Sequence, residues 1–153
     1  MTTERTVQEL ADRVAIQDVI ARVAIALDRR DPEMLGSCFT RDAVFEYVGV
    51  SKSTGAENIK WAAKRMERYS SSQHTLTTQR IQMRGDEADA ETYAVNYFFA
   101  KQDGEEREVM VNGGRYSDLL VRSGGRWQIQ RRTLTLMWQR GKSLQYDAKP
   151  TIG

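Results

Sequence analysis

From Ser72 onward, three short turn signals constrain the fold more than any other feature of the chain. "RGDE" at Arg84–Glu87, "QDGEE" at Gln102–Glu106 and "SGG" at Ser123–Gly125 put Gly, Asp and Ser where tight reversals need them. They separate four strand-like segments, roughly Gln73–Met83, Ala88–Lys101, Arg107–Arg122 and Arg126–Arg140. Consecutive strands joined by short turns pair antiparallel, so a meander is expected. "VNGGRY" at Val111–Tyr116 reads either as a further hairpin turn or as a bulge in one long bent strand. The bulge is preferred, because strands that long must curl and glycines inside a strand mark bends.

The first half is helical. Leu10, Val14, Ala21, Ala24 and Ile25 recur with helical spacing over about Val7–Arg29, and Ile16, Val19, Ile20, Val23 and Leu27 widen the apolar surface. A helix apolar over so much of its circumference is expected to be covered on more than one side. Asp31 can cap a short second helix with Pro32 at its first position. "DAVFEYVGV" then reads as a strand, and "TGAENIKWAAKRMERYS" as a third helix. Helices followed by a curved antiparallel sheet make an α+β cup able to hold a small molecule. No internal repeat or long linker interrupts the 153 residues, so one domain is expected over 1–153, with its core at about 7–140 and a tail of no clear periodicity at 141–153.

Composition narrows the function classes. Net charge is +2 with acids and bases interleaved, which argues against a nucleic-acid surface. No stretch has the length and apolarity of a membrane span, and "MTTERTVQEL" lacks the apolar run of a signal peptide. Cys38 is the only cysteine, which fits a reducing cytoplasm, and reads as a small buried hydrophobe. One histidine and one cysteine leave too few of the usual ligands for zinc.

That histidine, His74, sits in the polar run "SSSQHTLTTQ". Alone it reads more readily as a surface residue than as a catalyst. On the first helix, Asp28 falls near the angular position of Leu10, Gln17, Ala21 and Ala24, so a carboxylate points along the small-residue side. Its partner could be the backbone of "RRD", Arg29 or Arg30, or an imidazole. An Asp–His pair has a clear use, since the carboxylate fixes the tautomer and the other ring nitrogen works as base or acid.

"AIQDVIARVAIALDRRDPEMLGSCFTRDAVFEY", "SSQHTLTTQRI" and "VNGGRYSDLLVRSGGRWQIQRRTL", with the order of the elements, resemble the SnoaL-like branch of the nuclear-transport-factor-two-like cone fold over about Leu10–Arg140. The resemblance implies a cone-shaped α+β barrel, with N-terminal helices packed on a strongly curved, mostly antiparallel sheet around a pocket. It also implies a homotrimer or dimer. Scytalone dehydratase, bile-acid 7α-dehydratase and hexachlorocyclohexane dehydrochlorinase share this fold and use an Asp–His pair for elimination without metal or organic cofactor. Their pair falls on Asp28 and His74. The implied activity is therefore a hydro-lyase-like elimination, or a related isomerisation or aldehyde release, on a small aromatic, polyketide or steroid-like metabolite. One departure stands out: a polar group often found about five residues before the aspartate is replaced by Val23.

Another acid must then serve. Tyr47, Tyr93, Tyr97 and Tyr116 are available, and Tyr47 is favoured for its place after the second helix. Asn96 and Asn112 could orient a carbonyl or hydroxyl. Trp61, Phe98, Met137 and Trp138 could line an aromatic pocket, and Arg115 and Arg131 could meet an anionic substrate. Core packing and a solvated strand face explain these residues as cheaply. Two other functions compete with the lyase: a non-catalytic small-molecule-binding or accessory domain, and a polyketide cyclase-like tailoring enzyme.

Overall fold

The computed structural model describes residues 3–144. Helix α1 spans Thr3–Arg29 and α2 spans Pro32–Ser37. Strands β1 (Phe39–Tyr47) and β2 (Ser51–Thr54) follow, then α3 (Ala56–Ile59), α4 (Trp61–Arg65) and a 3₁₀ turn (Met66–Arg68). Four long strands complete the chain: β3 (Ser71–Arg84), β4 (Glu87–Gln102), β5 (Glu105–Ser123) and β6 (Arg126–Gly141). They form one six-stranded sheet in the order β2-β1-β6-β5-β4-β3. The meander is antiparallel as expected, but β1 joins it parallel to β6. The sheet is mixed and not closed, with β2 and β3 as its edges.

Two expectations, one of a strand and one of a helix, need correction. The strand expected over "DAVFEYVGV" ends at Tyr47, because Gly49 at φ 73° turns the chain, Val50 N donates to Tyr47 O, and β2 returns antiparallel. The third helix breaks at Lys60, where a tight Ala63 N–Lys60 O bond interrupts the α pattern. The Asp31 cap is present: its side chain accepts from Met34 N at 2.9 Å, with Pro32 opening α2. The tail beyond residue 144 lies outside the described residues.

Helix α1 buries Ile16, Val19, Ile20, Val23, Ala26 and Leu27 against Phe39, Ile59, Leu120 and Ile129. Leu10, Val14 and Ile25, counted above toward the apolar surface, are instead solvent-exposed. The buried stripe is displaced around the helix from the one they suggest, starting at Asp12. That carboxylate is buried yet satisfied: it accepts from Arg122 Nη1 at 2.9 Å, Trp127 Nε1 at 2.9 Å and Gln8 Nε2 at 3.2 Å. Its bonds to Arg122 and Trp127 tie the first turns of α1 to the β5–β6 hairpin.

Curvature comes from bulges. Asn112, Gly113 and Gly114 pair with Gln139, Trp138 and Leu136, so the register shift expected at "VNGG" is real but its extra residue is Met137 on β6. A second shift leaves Gln130 unpaired between Leu119–Arg131 and Leu120–Ile129. A third bends β3 between Leu76 and Gln79. Each extra residue increases local twist and exchanges the faces of the strand beyond it. No described helix is long and apolar enough to cross a membrane.

Candidate active site

The concave face of the sheet and the helices that cover it enclose a cavity lined from β1 through β6. Leu27, Phe45, Met66, Phe98, Met110 and Leu136 give it apolar walls. Tyr47, Arg65, His74, Asn96, Asn112, Tyr116 and Gln139 supply polar groups.

Asp28 reaches this wall because of how α1 ends. Arg30 takes a left-handed φ of 57°, and Asp31 N donates to Ala26 O while Arg30 N donates to Leu27 O. That pair of bonds closes a helix with a left-handed residue, usually glycine. Here an arginine stands there, and its guanidinium donates to Asp28 O at 2.6 Å and to Tyr69 O at 3.0 Å. The last turn of α1 is thereby fastened to the segment leading into β3.

Ser72 and His74 share one face of β3, two residues apart. Ser72 Oγ donates to Asp28 Oδ1 at 2.8 Å, and His74 N donates to Asp28 Oδ2 at 2.8 Å. His74 Nδ1 lies 2.6 Å from Asp28 Oδ1. Burial pushes the Asp28 carboxyl up, but the His74 ring, its charge and backbone N–H, and Ser72 together hold it below its ordinary value. A carboxylate accepts only, so Nδ1 carries the proton and Nε2 is the nitrogen left for the cavity. Phe98 meets the imidazole edge-on at 5.5 Å between centroids.

Because Asp28 is lowered in the folded protein, it stabilises the fold above its unfolded pKa. That contribution is lost as pH falls through the folded value. Below about pH 4, Asp28→Asn is therefore expected to lose less stability per pH unit than the unmodified chain, as read by urea unfolding across an acid series.

Asn96 Nδ2 donates to Asn112 Oδ1 at 3.1 Å, and both side chains are buried. Asn96 Oδ1 is buried with no hydrogen-bond partner among the described residues. Tyr116, 5% exposed, lies beside them with Arg132 Cζ 4.5 Å from its ring centroid. Arg132 is itself held in a two-point fork on Asp118 at 2.7 and 2.7 Å, both residues buried. Burial also raises the Cys38 thiol, which suits the inert role expected of it.

Of the residues singled out from sequence, Asp28 and His74 meet, and Tyr47, Asn96, Phe98 and Asn112 line the same cavity. Seven others do not line it. Trp61 is 57% exposed, because the cavity face of this segment carries Ala62, Arg65, Met66 and Tyr69 at helical spacing and Trp61 lies off it. Met137 is the bulged residue and Trp138 the first beyond it, so both turn outward where Leu136 and Gln139 turn in. Arg115 falls between the inward Asn112, Gly114 and Tyr116 and takes the outer face, as does the exposed Arg131. Tyr93 and Tyr97 alternate with buried Thr92, Asn96 and Phe98 and also face outward. Sequence reasoning missed Ser72, although its two-residue spacing from His74 carried the signal. Among the described residues no three His, Cys, Asp or Glu side chains gather as a metal centre would need.

A helix-covered, curled α+β sheet around a pocket is the cystatin-like, nuclear-transport-factor-two-like architecture. Similar solved structures include a scytalone dehydratase-like protein from Novosphingobium aromaticivorans, at TM-score 0.82 and 20% identity, covering 95% of this chain and 96% of that one. A hexachlorocyclohexane dehydrochlorinase, LinA type 2, matches at TM-score 0.79 and 20% identity over 96% and 99% of the two chains. The chain belongs to the SnoaL-like domain family, which matches residues 8–133. It is also 29% identical to the uncharacterized protein Rv2910c of Mycobacterium tuberculosis, over 88% of this chain and 92% of that protein.

Proposed function

We propose that this protein is a cofactor-independent lyase that eliminates water, or an equivalent leaving group, β to a carbonyl in a small aromatic, polyketide-like or steroid-like metabolite. The observation that carries this reading is the 2.6 Å contact of His74 Nδ1 with Asp28 Oδ1 at the wall of a largely apolar cavity. His74 Nε2 removes the proton next to the activating carbonyl, while Asp28 fixes the tautomer and stabilises the imidazolium. The imidazolium, or Tyr47 beside the same cavity, then protonates the leaving oxygen. The names of the two similar structures, a dehydratase and a dehydrochlorinase, are those of eliminations and support this class. Isomerisation and aldehyde-releasing cleavage use the same base and differ only in the substrate.

The test is a panel of β-hydroxy ketones with aryl or polycyclic substituents, followed by the rise of conjugated-enone absorbance. Turnover that disappears in His74→Gln and Asp28→Asn supports the lyase. A binding module is the second reading, favoured by Val23, which lies 2% exposed in the core and offers no acid beside Asp28. It would return every bound ligand unaltered.

A further inference from the structure

One rung of the sheet gathers the cavity's polar side chains. His74 pairs in register with Asn96, Asn96 with Asn112, and Asn112 with Gln139, across β3, β4, β5 and β6. All four line the cavity. Adjacent strands are about 4.8 Å apart, so two strand spacings, roughly 10 Å along the rung and less across a concave face, separate His74 from Asn112. An α-carbon and its carbonyl oxygen span about 2.4 Å; a contact of about 3 Å to the base and a hydrogen bond of about 2.8 Å to a donor complete a similar reach.

The donors at the far end of that span are fixed. Asn112 Oδ1 is occupied by Asn96 Nδ2, which leaves the Nδ2 amide as the donor that Asn112 can offer the cavity. Tyr116 lies two positions beyond Gly114 on the same inward face, and no side chain at Gly114 separates it from Asn112. Burial pushes the Tyr116 phenol up, while Arg132 under its ring and a hydrogen bond from Asn96 pull it back. The Arg132–Asp118 fork fixes the cation beneath the ring.

We propose that Tyr116 Oη and Asn112 Nδ2 form an oxyanion-binding pair that accepts the carbonyl oxygen of the substrate as it becomes an enolate. Resting on the lyase reading, this names the substrate class: carbonyl compounds whose α-hydrogen reaches His74. The proton leaves the α-carbon for His74 Nε2, the C–H electron pair forms the enolate double bond, and the carbonyl pair moves onto oxygen. Tyr116 and Asn112 donate to that oxygen. The enolate then re-forms the carbonyl and expels the β-hydroxyl, which leaves as water with the proton held by His74. Donors preorganised where charge develops, in a site closed to water, are a large source of catalysis.

A phenol that carries no leaving group tests this apart from turnover. 4-Nitrophenol is added to the protein at a pH where the free probe is mostly protonated, and phenolate absorbance is read. The expected result is a raised phenolate fraction with the unmodified chain and with His74→Gln, and affinity weaker by about tenfold or more in Tyr116→Phe and in Asn112→Leu. Probe that stays neutral, fails to bind, or binds both variants as before overturns the proposal. Phenolate binding intact in a protein that eliminates nothing keeps the oxyanion pair and removes the lyase. Elimination that needs His74 but ignores both variants keeps the lyase and removes the pair.

Discussion

His74→Gln is expected to lower kcat for elimination by about 10²–10⁴-fold while leaving the protein folded and KM little changed. Glutamine keeps similar bulk against Phe98 and retains the backbone N–H that Asp28 accepts, so the wall of the cavity survives. It has no nitrogen that cycles a proton near neutral pH. Asp28→Asn should fall in the same range, because an amide can hold the imidazole in the wrong tautomer and cannot stabilise its charge. A His74→Gln enzyme that keeps its rate would remove the imidazole from the mechanism. Thermal unfolding of both variants separates loss of chemistry from loss of fold.

Asp118→Ala is expected to have the largest effect on stability, about 3–5 kcal/mol. It leaves the Arg132 guanidinium, 2% exposed, without the fork that neutralises it. At this chain length that is a fall in Tm of about 6–20 °C. The double replacement Arg132→Met with Asp118→Leu should cost far less, because it removes both desolvated charges together. Urea unfolding of the three proteins reads the difference. A loss below about 1 kcal/mol in Asp118→Ala would mean that the pair behaves like a solvated surface pair. The pair also sets the surroundings of Tyr116, so the single variant is expected to disturb the cavity as well as the fold.

The fold was legible where local rules and global packing agree. Asp31-Pro32 capped its helix, and "RGDE", "QDGEE" and "SGG" separated the long strands, because Gly and Asp in tight reversals leave the chain few alternatives. The parallel pairing of β1 with β6 was not legible, since the partners are nearly ninety positions apart in places and nothing local encodes the contact. Gly49 was read as part of a strand because valines flank it, although only its positive φ turns the chain into β2.

At the site, the difference between Phe98 and Trp138 is instructive. Both are strand aromatics near the pocket, yet one lines it and the other is 44% exposed. A single extra residue at Met137 decides it, and side-chain direction beyond a bulge depends on register that the sequence does not print. Asp28 and His74 were nameable only as candidates, because their meeting depends on Arg30 closing α1 against the segment before β3. Tyr116 was one phenol among four until the inward parity of β5 and the cation beneath its ring distinguished it.

The proposed chemistry requires Asp28 to hold the lone imidazole with its proton on Nδ1 and Nε2 turned to the cavity. Long-range ¹H–¹⁵N correlation on uniformly ¹⁵N-labelled protein, at a pH where the ring is neutral, reads the tautomer directly, because one histidine gives one ring system. A protonated Nδ1 and an unprotonated Nε2 are expected, with that preference weakened or reversed in Asp28→Asn. A ring found in the Nε2–H form, or one indifferent to Asp28→Asn, would contradict that chemistry.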